Sequence, residues 1–166
     1  MTEIVKEHQS WEVLESYLSS IVQQISVDHF LPNVILGPGR GGYPVGVMLS
    51  HYFNVPFHGF EWTTRDHGMI KEATRLETIL SKYNGSNILI VDDINDSGET
   101  LTAIDDVVMQ FDAEENNNMF YLHEQVKYAT LYDKESSKFD KVSYAGKIVT
   151  PEEERWIVFP YEEWWK

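Results

Sequence analysis

No cysteine occurs among the 166 residues, which removes disulfides, thiolate metal sites and any thiol nucleophile, and is compatible with a reducing compartment. The chain also lacks an apolar run long enough to span a bilayer. Its first residues, Met1-Thr2-Glu3-Ile4-Val5-Lys6-Glu7, lack the basic-then-apolar pattern of a secretory signal. A soluble, cytoplasmic protein with no membrane partner is the expectation. Positive charge is scarce: 13 Lys and Arg face 27 Asp and Glu, for a formal net charge of −14. Such a surface repels polyphosphate backbones, so nucleic acid is not an expected partner. An anionic ligand would have to be held by a few cations gathered around one cleft. There is no internal repeat and no long low-complexity segment. The length suits a single domain, residues 1–166, that buries about two thirds of its unfolded surface.

What is present is an alternation of short β-branched runs and amphipathic stretches. Behind a Ser10 cap, Trp11, Leu14, Leu18, Ile21, Val22 and Ile25 recur at helical spacing and form a core-facing stripe. Residues 33–36 read as a strand, followed by a glycine-rich turn and a helix over about 42–53. A second strand (55–60), a polar loop (62–72) and a helix (73–83) come next. Residues 87–91, Asn-Ile-Leu-Ile-Val, are too short for a helix and β-branched enough for a buried parallel strand, while Leu101, Ile104, Val107, Val108 and Phe111 continue at helical spacing. A surface loop over 112–118 and a strand over 126–132 complete the pattern. The alternation predicts an α/β fold, doubly wound, with a mainly parallel sheet flanked by helices, its core over about residues 10–135. The aromatic tail from Lys141 onward reads as a small C-terminal hood, about residues 136–166, and not as a further wound unit. Its exposed-looking Trp164 and Trp165 suggest a homodimer.

The string Asp92-Asp93-Ile94-Asn95-Asp96-Ser97-Gly98-Glu99-Thr100 sits between that third strand and the helix after it. First-turn amides at Ser97, Gly98, Glu99 and Thr100 would be unpaired donors aimed at an anion, reinforced by the helix dipole. Asp92 and Asp93 are acceptors suited to the two hydroxyls of a ribose or to a magnesium ion. An acidic helix cap is the plainer reading of the Asp-Ser-Gly part alone. A calcium loop starting at Asp93 fails at its twelfth position, which holds Ile104 instead of a bidentate glutamate. Gly37-Pro38-Gly39-Arg40-Gly41-Gly42 follows the first strand, letting backbone approach an oxyanion while Arg40 offers a planar fork to phosphate oxygens. Gly37, Gly39 and Gly42 also satisfy the dinucleotide pattern G-x-G-x-x-G, with Glu61 about twenty residues on. That alternative leaves the Asp92–Thr100 string without a role.

Val91 to Thr100 resembles the signature of the type I phosphoribosyltransferases: a hydrophobic strand, two acids, two mostly apolar residues, then Asp/Thr-Ser/Thr-Gly-x-Thr. It is most similar to the 6-oxopurine branch, and Arg40-Gly41-Gly42 stands where a xanthine-guanine subgroup carries the same triplet. The resemblance implies the type I phosphoribosyltransferase fold and a reaction between phosphoribosyl pyrophosphate and a purine base, with Mg as cofactor. It implies that Asp92, Asp93, Asn95, Asp96, Ser97, Gly98, Glu99 and Thr100 bind the ribose and 5-phosphate, with Asp92 and Asp93 also tuning the metal. Gly39, Arg40 and Gly41 would hold the pyrophosphate, and Asp96 would manage the proton on purine N7. Lys134 would contact O6, Trp156 would stack on the base, and Ile157 would meet the base's other edge through its backbone. A flexible loop with Thr64, Arg65 and His67 would close over the reacting centre. Two departures stand out: Glu99 occupies a place where relatives often have lysine, and the asparagine-rich stretch near Asn116 has no counterpart. A non-catalytic nucleotide sensor of the same fold and a pyrimidine-specific enzyme are the alternatives.

Overall fold

Alternation within the central strands divides the core into two layers. The computed structural model describes residues 5–62, 69–115 and 121–165. Helix α1 (Trp11–Val27) begins at Ser10, whose hydroxyl accepts from the Val13 amide at 3.3 Å, and it buries Leu14, Leu18, Ile21 and Ile25. Trp11, expected in the core stripe, is 52 % exposed, because burial on this helix starts one turn later, at Leu14. Strand β2 (Val34–Pro38), helix α2 (Gly39–Phe53), β3 (Phe57–Phe60), α3 (Met69–Lys82), β4 (Ile88–Asn95), α4 (Glu99–Glu115), α5 (Tyr121–Gln125), β5 (Val126–Lys134) and β6 (Val142–Val149) follow. All five of these strands are parallel, in the order β3-β2-β4-β5-β6. Ile35, Leu89 and Val91 face α1 and α2, whereas Val34, Leu36, Ile88 and Ile90 face α3 and α4. This is the period-two consequence of strands covered by helices on both sides. Among the described residues no helix is long and apolar enough to cross a membrane.

Several boundaries depart from the sequence pattern. Strand β4 runs to Asn95, four residues beyond the apolar run, because backbone pairing with β5 continues at Asp92↔Thr130, Ile94↔Tyr132 and Asn95↔Asp133. A hydrophobic pattern stops where side chains turn polar, but a ladder need not. For a related reason α2 starts at Gly39 and not at Gly42: the glycine-rich segment is the end of β2 and the first turn of the helix. Helix α4 continues to Glu115, into the segment read as a loop. Strand β6 joins the main sheet, although the tail was not read as part of it; only Tyr144 and Val149 of its eight residues are buried, too few to show as a strand pattern. Residues 135–141 carry the chain back to it with no helix in between. The hood that remains draws on both ends of the chain. Strand β1 (Lys6–His8) pairs in parallel with β7 (Trp156–Val158), just after a 3-10 turn (Pro151–Glu153) capped by Thr150.

Candidate active site

The chain passes from β2 outward to β3 and then returns across β2 to β4, so the winding reverses between β2 and β4, the place where such sheets open a crevice. A cleft of about 870 Å³ lies there, bounded by the first turn of α2, the ends of β4 and β5, and the hood. Asp92, Asp93, Asp96, Thr100, Gly39, Arg40, Gly41, Lys134, Trp156 and Ile157 all line it. Ten residues singled out in the sequence thus converge on one cavity.

Asp92 and Asp93 form its acidic wall. The Asp93 amide donates to Asp92 Oδ1 at 2.9 Å, and the Tyr161 hydroxyl donates to Asp93 Oδ2 at 3.1 Å. On the other side Gly41 is packed so close that an added Cβ would lie 2.5 Å from Asp93 Oδ2. Burial, aided by the neighbouring Asp93 charge, holds the Asp92 carboxyl well above the usual carboxylate range. Burial also pushes Asp93 up to about 6, against the pull of the Tyr161 hydrogen bond and with help from the Glu162 charge. Among the described residues no cation pairs with either acid, and no cluster of three or more metal-ligating side chains occurs.

Beyond β4 the chain makes a tight turn into α4. Gly98 has φ +83°, a conformation that side chains rarely adopt, and an added Cβ would meet the Phe139 amide at 2.5 Å. Ser97 Oγ accepts from the Glu99 amide at 3.3 Å, a local turn bond at the start of the helix. The amides of Ser97, Gly98 and Thr100 donate to no protein acceptor among the described residues, which leaves oriented N–H groups at a helix N-terminus. Ser97, Gly98 and Glu99 are not part of the cavity lining; Asp96 and Thr100 are. Asn95, which the resemblance groups with the ribose and 5-phosphate residues, has its side chain 2 % exposed and bonded inward to Asp133, Phe139 and Ser137. Asp96, one residue past the end of β4, is exposed to the cleft.

On the α2 side, Gly39 opens the helix with φ +53° and Arg40 is exposed to the cleft. Across from them, Lys134 at the end of β5 pairs with Asp96 at 2.5 Å and approaches Glu154 at 3.7 Å, with only 11 % of its side chain exposed. Trp156, 58 % exposed, stands on the hood beside it. Nine further lining residues escaped the sequence reading as site members: Pro38, Pro44, Trp62, Ile94, Arg155, Phe159, Tyr161, Glu162 and Trp165. Tyr161 stacks on Phe159 with centroids 5.3 Å apart and planes at 2°, while Glu162 accepts from the Phe159 amide at 2.7 Å. Their signal in the sequence was the aromatic tail itself, whose fold-back over β4 no local pattern states. Arg40, Lys134 and Arg155 bring three of the chain's scarce cations to this cleft. Thr64, Arg65 and His67, named for the flexible loop, and Asn116 lie outside the described residues.

Comparison with known proteins agrees with this geometry. The chain is similar to the purine phosphoribosyltransferase of Pyrococcus horikoshii Ot3, with TM-score 0.67 and 23 % identity over 95 % of each chain. It is also similar to the xanthine-guanine-hypoxanthine phosphoribosyltransferase of Helicobacter pylori, with TM-score 0.65 and 22 % identity over 97 % of this chain and 95 % of that one. A hypothetical protein from Neisseria gonorrhoeae with bound ppGpp gives TM-score 0.62 and 16 % identity over 98 % and 92 %. No match is found among curated proteins. At these identities the solved structures speak for the fold. The match of residues 1–164 to the phosphoribosyl transferase domain covers nearly the whole chain, and with the cleft at the β2–β4 reversal it makes this protein a phosphoribosyltransferase, a member of the phosphoribosyl transferase domain family.

Proposed function

We propose that the protein transfers a phosphoribosyl group from phosphoribosyl pyrophosphate to a 6-oxopurine, releasing pyrophosphate and a nucleoside 5'-monophosphate, as in purine salvage. The observation that carries the choice of base is the Lys134–Asp96 pair at 2.5 Å beside Trp156. A 6-oxopurine presents O6 and N7 as neighbouring atoms on one edge. A cation that donates to O6, adjacent to a carboxylate that manages the N7 proton, is complementary to that edge. Adenine would turn an amino donor toward Lys134, and a pyrimidine has no N7. Trp156 would stack on the ring, and the Ile157 backbone would meet its far edge.

The other groups act by positioning and charge stabilisation. The amides of Ser97, Gly98 and Thr100 hold the 5-phosphate, Asp92 and Asp93 face the ribose hydroxyls, and Arg40 with Gly39 and Gly41 steadies the leaving pyrophosphate. Two half-buried carboxylates with no cation partner among the described residues form a donor set suited to magnesium, which keeps waters and substrate oxygens for its other positions. Asp92 and Asp93 would hold it, and it would supply charge neutralisation for the pyrophosphate. In a chain of net charge −14, that neutralisation also eases the approach of an anionic donor.

The test is purified protein with magnesium and phosphoribosyl pyrophosphate, offered each nucleobase in turn, with pyrophosphate release recorded. Release with hypoxanthine, guanine or xanthine, and none with adenine, orotate or uracil, is the expected result. A nucleotide-binding regulator of the same fold is the second reading, favoured by the ppGpp bound to the Neisseria gonorrhoeae protein. Binding of ppGpp with no pyrophosphate release from any base would select it.

A further inference from the structure

Asn95 lies inside the substrate-binding string, yet its side chain is spent elsewhere. Nδ2 donates to Asp133 Oδ1 at 2.7 Å and to the Phe139 carbonyl at 2.9 Å, while Oδ1 accepts from Ser137 Oγ at 2.8 Å. All three partners sit at the end of β5 or on the return segment 135–141. That segment is itself fixed. The Ser137 amide donates to the Lys134 carbonyl at 3.0 Å, Ser137 Oγ accepts from the Phe139 amide at 3.2 Å, and the buried Phe139 ring packs edge-on against Tyr128 at 4.9 Å. The turn above rests on it without a gap. The Lys138 amide donates to the Ser97 carbonyl at 3.1 Å, and a Cβ on Gly98 would lie 2.6 Å from Ser137 Oγ.

We infer that Asn95 and Ser137 are positioning residues, a clamp that fixes the turn at Asp96–Gly98 at one height above the sheet so that its amides converge on a phosphate. Neither side chain lines the cleft. The inference rests on the reading of the 97–100 amides as a phosphate cradle. A buried asparagine that merely satisfies its own bonds would find partners anywhere nearby. Here two of the three bonds run to the segment that also carries the turn, and the third joins Asn95 to its register partner Asp133, one step before the Asp96–Lys134 pair. Amide donors must converge on the oxygens they serve to within a few tenths of an ångström, so a loosened turn loses phosphate affinity before it loses its fold.

Calorimetry with ribose 5-phosphate and magnesium tests this apart from any choice of base. Ser137→Ala and Asn95→Ala should each raise the ribose 5-phosphate Kd about tenfold. The double variant should be no worse than the weaker single, and Ser137→Thr, which keeps the hydroxyl, should restore binding. In turnover, KM for the donor should rise by a similar factor with kcat within about threefold, a split that loss of folded enzyme does not produce. Wild-type Kd values in both single variants, or a fall in active fraction with unchanged Kd, would overturn the clamp and leave the proposed reaction standing. Failure of the wild type to bind ribose 5-phosphate would overturn the cradle and the clamp together.

Discussion

Asp93 is pressed from three sides: by Gly41, by the Tyr161 hydroxyl and by the Glu162 charge. Burial moves its titration from the ordinary 3.8 up to about 6, so between those values the folded protein holds a proton that the unfolded chain has released. Stability from this group is therefore fully present below pH 4, falls as pH rises toward 6, and stays low above it. Asp93→Asn removes the charge and keeps an oxygen for Tyr161. The variant should match the wild type in thermal midpoint near pH 4 and exceed it at pH 8, by on the order of 2 kcal/mol. Its turnover should be lost at both. Thermal melts of the ligand-free pair at the two pH values check the sign, and equal midpoints at pH 8 would show the carboxylate is not held at a cost. A group kept ionised against its surroundings, in the cleft where the substrate is proposed to bind, is a stability–function exchange that a composition or a motif cannot display.

At the scale of elements, the glycines of α2 show how close packing makes a site. Replacing a helical glycine by alanine ordinarily favours the helix by about 0.5–1 kcal/mol. At Gly41 the new Cβ would lie 2.5 Å from Asp93 Oδ2, and overpacking of that kind costs about 1–3 kcal/mol, so the clash wins. Gly41→Ala should lower kcat/KM for the donor at least about tenfold while melting within a few degrees of the wild type, since only one carboxylate has to move. Retained kcat/KM would mean that Asp93 has room to shift. The sequence showed both loops and their order along the chain, because glycines, paired acids and short apolar strands leave local signals. It did not show that β4 persists through Asp92–Asn95, nor that α2 begins inside the glycine run. Those limits are set by pairing to β5 and by packing on β4, which are contacts distant in sequence. The inward direction of the Asn95 side chain is hidden for the same reason: it is set by bonds to Asp133, Ser137 and Phe139, some forty residues away. Tyr161 and Glu162 reach the cleft only through the fold-back of the hood, so nothing adjacent to them in sequence announced it.

On the scale of the whole molecule, the cleft is closed by a ribbon made from residues about 150 positions apart. The Trp156 amide donates to the Val5 carbonyl at 3.1 Å, and the Gln9 amide donates to the Val158 carbonyl at 2.9 Å, with Glu7 paired opposite Ile157 between them. The main sheet holds its core without β1, whose three residues are all exposed. Trp156 and Ile157, in contrast, have β1 as their strand partner, so this short ribbon sets where the two groups proposed to meet the base stand. A proline at Glu7 removes an amide from the ribbon and leaves both core layers untouched. Glu7→Pro should leave the thermal midpoint nearly unchanged, raise KM for the base about fivefold, and change KM for the donor little, because the groups proposed for the phosphate and pyrophosphate lie on the turn into α4 and the first turn of α2. Steady-state kinetics with each substrate varied in turn reads that asymmetry. An equal rise in both constants would mean that the hood reaches the donor as well, and the Tyr161–Asp93 hydrogen bond is the contact through which it would do so.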